Sequence, residues 1–94
     1  MRTFQASIRQ GDKVIVKKVT VYLEETTRPD GIRTWYGVFQ LAGDDPYIEP
    51  DKYRIHLDDN RSGEILVTNV TMSSHAPTQV TFMGSGPLGA GDGR

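Results

Sequence analysis

Ninety-four residues, 36 % of them hydrophobic, with a net charge of −1 and no cysteine, are enough for one small domain with a thin core, because folding at this size buries only about 60 to 65 % of the surface the unfolded chain exposes. These totals argue against a large enclosed active-site cavity, exclude disulfides and thiolate metal sites, and speak against adhesion to nucleic acid or anionic membrane through bulk charge. The charge is unevenly placed, with a balance of +3 over residues 1–33 and −4 over residues 34–94, a polarity most simply read as solvated strand faces.

Residues 2–9 alternate Phe4, Ala6 and Ile8 with Thr3, Gln5 and Ser7, the period of a strand with one dry face. Gln10-Gly11-Asp12-Lys13 then supplies a turn. Residues 14–25 contain a contradiction: Val14 and Val16 are apolar at even positions, Val19, Val21 and Leu23 at odd ones. A one-residue slip turns an apolar face outward, so the change of phase at Lys17-Lys18 predicts either a β-bulge or two short strands. Barrel curvature with solvated lysines is the ordinary reason for such a bulge, and a site beside the basic pair is the rarer one.

Arg28-Pro29-Asp30-Gly31 is the next turn, with proline presetting its second position and glycine relieving its fourth. In residues 35–41, Trp35, Phe39 and Leu41 share one face, and Gly37 between them leaves a gap across which a neighbouring ring can pack. Residues 42–52 form the longest break, made acidic by Asp44, Asp45, Glu49 and Asp51; Tyr47 and Ile48 within it are expected to fold back as a lid over one barrel end.

Residues 53–72 read as a hairpin. Tyr53, Ile55 and Leu57 alternate with Arg54, His56 and Asp58, Asn60-Arg61-Ser62-Gly63 is placed as a type I turn, and the run Ile65, Leu66, Val67 is apolar on both faces, which predicts a central position. A loop over 73–78 and a last strand over 79–83, with Val80 and Phe82 inward, complete the pattern. From Gly84 onward five of eleven residues are glycine, so residues 84–94 are expected to be a flexible tail.

Short strands at roughly ten-residue spacing joined by turns predict an all-β domain over residues 1–83, a small antiparallel barrel of five to six strands. The expected core is Phe4, Ile8, Val19, Val21, Leu23, Trp35, Phe39, Leu41, Tyr53, Ile55, Leu57, Leu66, Val70, Val80 and Phe82.

Candidate chemistry is sparse. His56 and His75 stand nineteen positions apart without the close pairing of zinc ligands, and the acidic loop lacks the alternate-residue ligands and terminal glutamate of a calcium-binding EF-hand, so neither a metal nor a cofactor is expected. Ser73-Ser74-His75 sets hydroxyls beside an imidazole, but neighbours on an extended loop point apart, and no nucleophile–base–orienter set is evident, so the chain reads as a non-enzyme. Arg28, Arg33 and Arg61 at turns, with Arg54 on a wet strand face, form an anion- or nucleotide-binding set if these ends converge. Six-stranded barrels of this size include the PilZ domains, which bind a cyclic dinucleotide through an arginine pair three residues apart and a later Asp/Asn-x-Ser-x-x-Gly. Here Arg28 and Arg33 are five apart, and Ile65 stands where that glycine falls after Asn60-Arg61-Ser62; the pattern departs from theirs and assigns no family.

Stacking of single-stranded nucleic acid on Tyr22, Tyr36 and Tyr53 beside Lys17, Lys18 and Arg54 ranks below contact with another protein, or with a second copy, because tyrosines on barrel strands mostly pack. The opening residues carry no continuous apolar run and no stretch approaches a membrane span, so a cytoplasmic address is expected.

Overall fold

Alternation along the chain is realised, among the described residues, as six strands: β1 (Arg2–Gln10), β2 (Lys13–Thr27), β3 (Arg33–Leu41), β4 (Lys52–Leu57), β5 (Arg61–Ser73) and β6 (Ala76–Ala90). The structure is a computed structural model and describes residues 2–42 and 47–90. All pairings are antiparallel, in the order β1-β2-β3-β6-β5-β4, and β4 closes back onto β1. Closure gives the sheet no free outer strand and leaves far less unpaired edge than a small open sheet would present.

The phase slip at Lys17-Lys18 is a bulge within one continuous β2. Ala6 pairs with Val19 and Ile8 with Val16, so Ser7 alone opposes both lysines, and Val16 and Val19 both stay buried while Lys17 and Lys18 face out. Two turns also stand where the glycines place them: Gly11 has φ 61° and Gly31 φ 87°, the Gly31 N–H donating to the Arg28 carbonyl at 2.8 Å.

The β4–β5 turn lies earlier than the glycine suggests. Asn60 takes the left-handed position, φ 72°, its N–H donates to the Leu57 carbonyl at 3.1 Å, and β5 already begins at Arg61. Asparagine is among the few side chains that tolerate that conformation, which leaves Gly63 inside the strand for a different purpose. Likewise 73–78 is a tight hairpin connection rather than a loop, since Ser73 already pairs with Ala76.

Among the described residues, eighteen apolar side chains form the core, with Ile8, Val21, Phe39, Ile55, Ile65 and Val80 fully buried. One core expectation for β5, Leu66, is corrected, whereas Val70 does pack against the core. Ile65 and Val67 point inward, Leu66 is 38 % exposed, and Val70 is only partly buried; a register shift between Val67 and Asn69 moves the inward phase from odd to even positions partway along the strand. At the long break, Ile48 is fully buried and joins the core, whereas Tyr47 is 57 % exposed and does not fold back with it.

β6 is the largest difference from the alternation pattern. It continues past Met83 to Ala90, with Gly84 paired to Ile65, Ser85 to Glu64 and Gly89 to Ser62. Residues 84–90 are therefore barrel wall rather than tail, and residues 91–94 lie outside the described residues. Glycine carries no apolar face to advertise a strand, so the ladder here is specified by its partner rather than by its own pattern.

Candidate functional site

The continued β6 creates an opening in the barrel. β3 and β6 pair from Leu41↔Thr78 to Tyr36↔Met83. Beyond that point residues 33–35 ladder with β2, through Thr27↔Arg33, Thr26↔Thr34 and Glu25↔Trp35, while residues 84–90 ladder with β5. The two strands fork, and a groove of about 590 Å³ lies between them, walled by Ile32, Arg33, Thr34 and Trp35 on one side and Gly86, Pro87 and Leu88 on the other. That volume falls in the range of small-ligand and peptide-residue pockets.

Trp35 sets the geometry of the fork. Its indole is buried, meets Phe82 edge-on with centroids 6.2 Å apart, and rests in a slot made by two glycines. A Cβ at Gly84 would overlap the indole, and one at Gly63 would lie 2.9 Å from its Cζ2. The indole Nε1–H donates to the Gly86 carbonyl at 2.9 Å, so the ring spans the fork and ties its two arms together at the base. Gly63 is thus a packing glycine, and Gly84 opens rather than ends the β-structure.

The four arginines that would form an anion site if their ends converged are not all brought together, since Arg54 stands opposite Arg9 on the β1–β4 wall. Arg33 lines the groove. Arg28 is tied within its own turn to Asp30 at 3.1 Å. Arg61 bridges Asp59 at 2.8 Å and Glu25 at 3.1 Å and lies over the Phe4 ring at 5.4 Å from its centroid, with Arg2 over the same ring at 5.5 Å. This network staples the start of β5 to the end of β2. Burial by itself raises the Asp59 carboxyl pKa, but hydrogen bonds from the Arg61 backbone and guanidinium outweigh it and hold the group below the usual aspartate value. Burial likewise opposes the Arg61 charge, and the bonds to Glu25 and Asp59 overcome it, raising its pKa.

Arg54 is on a different wall. It points outward from β4 and stands opposite Arg9 of β1, with His56 opposite Ser7 one step along. His56 is held below the ordinary histidine pKa, by burial first and then by the charges of Arg9 and Arg54. Arg9 was not singled out from the sequence. Its phase puts it on the wet face with Ser7, but only the β1–β4 register reveals its neighbour.

Among the described residues no group of three His, Cys, Asp or Glu side chains is arranged to hold a metal ion; Asp44 and Asp45 of the acidic loop lie outside them. No helix among them is long and apolar enough to cross a membrane.

Fold and site together define a closed six-stranded antiparallel barrel, forked at one seam over a tryptophan-floored groove. No family model, curated protein or solved structure matches the chain.

Proposed function

We propose that this protein is a non-catalytic binding module that holds an extended segment of a partner protein in the β3–β6 fork. One observation carries the reading: residues 33–35 and 84–90 each have a ladder partner on one side only, and the sides facing each other flank a groove. Strand edges without a ladder partner are templates for an added strand, whose main chain supplies affinity and whose alternate side chains supply specificity. The groove offers a place for each kind. Ile32, 54 % exposed, and the partly buried Leu88 present apolar surface, and Arg33 presents a cation to an acidic side chain. At the crotch, Tyr36 and Met83 are cross-strand neighbours left 43 % and 49 % exposed, and Leu66 opposite Met83 extends the same patch. A contiguous apolar patch beside a groove is what a docking segment needs to cover.

The test uses peptides selected from a random library on the intact chain, followed by NMR. Binding peptides are expected to shift the Trp35 indole N–H and the amides of residues 33–35 and 84–88, and to lose affinity on Ile32→Glu, a change at an exposed position that leaves the core intact. Peptides that bind elsewhere on the barrel, or affinity indifferent to Ile32→Glu, would overturn the reading.

A further inference from the structure

The outer wall formed by β2, β1 and β4 gathers five basic side chains. Arg9 and Arg54 are direct cross-strand partners, and Ser7 and His56 are the next outward pair. The bulge sets both Lys17 and Lys18 opposite Ser7 on its other side. Directly opposed side chains have their Cβ atoms about 4.5 to 5.5 Å apart, and like charges so placed destabilise a sheet. No ion pair joins Arg9 or Arg54 to an acid among the described residues. Arg54 has the carboxylate of Glu64 opposite it on β5, whereas Arg9 faces Arg54 on the other side, and an anion seated between the two guanidinium groups relieves their repulsion.

We propose that this wall is a binding site for an oligophosphate group, gripped by Arg9, Arg54 and His56 with the bulge lysines at its far side. Two inter-strand steps and one two-residue step along a strand span about 10 Å by 7 Å, a patch suited to a short chain of phosphates rather than to one small anion. Guanidinium forks match phosphate oxygens two at a time, and the lysines act as point charges. Glu64, opposite Arg54 on β5, and Asp58, just beyond the end of β4, border the patch and repel a longer polyanion that runs past it. This favours a small phosphorylated ligand over a nucleic acid.

The His56 pKa is lowered by burial first and then by the positive field of Arg9 and Arg54. His56 faces Ser7 and, one step along, Arg9 on β1, and Ser62 and, one step along, Glu64 on β5, with Arg54 and Asp58 two residues away on its own chain segment. A bound phosphate chain inverts that field and moves its titration upward. The site is independent of the β3–β6 fork, and Ile32→Glu leaves it unchanged.

The experiment titrates the full chain with inorganic tripolyphosphate and, separately, with a nucleoside triphosphate, at constant ionic strength, by calorimetry and NMR. Saturable binding is expected, with shifts concentrated at Ser7, Arg9, Arg54 and His56, an upward move of the His56 titration, and an affinity roughly tenfold or more lower in the Arg9→Gln/Arg54→Gln double variant. The unliganded double variant is expected to melt no lower than the parent, which separates a loss of binding from a loss of fold. Equal affinity for the two probes assigns the site to the phosphate chain alone, and tighter binding of the nucleotide adds a base contact; either supports the proposal. The proposal falls if neither probe binds saturably, if the double variant binds as well as the parent, if sulfate gives the same shifts at equal ionic strength, or if a single-stranded oligonucleotide binds far tighter than both.

Discussion

Two walls of this barrel are unfinished in opposite ways. At the β3–β6 fork the backbone parts beyond Tyr36 and Met83 while the side chains are well satisfied: Trp35 fills a slot, bonds across the gap and is 4 % exposed. On the β1–β4 wall the ladder runs without a break from Ala6↔Leu57 to Arg9↔Arg54 while the outward side chains repel one another. The first wall is open in hydrogen bonding and the second in charge. Each therefore presents a different complement, an extended main chain in one case and an anion in the other, and an unsatisfied feature in an otherwise consistent fold is where function is most economically sought.

The sharpest way to break the comparison is Gly84→Val. If Gly84 is the slot that seats the indole, the added side chain must displace Trp35, at a cost of about 3 to 4 kcal/mol read by urea denaturation; a loss below about 1 kcal/mol would mean that the fork does not depend on that fit. Trp35→Phe should cost about 2 kcal/mol, from the lost bond to Gly86 and the space the smaller ring leaves. Hydrogen exchange should then speed up over residues 84–90 and not over β1 and β4, and uniform acceleration would show that the two walls are not separable.

The wall of like charges responds with the opposite sign. Arg9→Gln relieves the pair with Arg54 and is expected to raise stability by about 0.5 kcal/mol. Smallest is a pH effect. Because the folded His56 pKa lies below its unfolded value near 6.5, the unfolded chain takes up the proton more readily. Stability contributed by neutral His56 is then complete above pH 6.5 and declines as the pH falls through the folded pKa. Denaturation midpoints measured above and below that window should show the decline in the parent, a shallower one in Arg9→Gln and none from this group in His56→Gln.

Much of this architecture is already written in the chain. Period-two alternation in β1, β3 and β4, the turn glycines at 11 and 31, and the slip at Lys17-Lys18 all express local constraints, since a side chain's face follows from its position along its own strand. The gap at Gly37 is legible for the same reason, and Phe82 does pack there, its Cζ 2.7 Å from where a Cβ would stand. Tertiary structure decided the rest. Gly63 and Gly84 look like a turn and the start of a tail until Trp35, distant in sequence, is laid against both; the inward phase of β5 depends on a register shift against β6; and Arg9 meets Arg54 only because β4 returns to close the barrel on β1. A glycine or an exposed arginine carries no periodicity of its own, so its role is defined by whatever the fold brings against it.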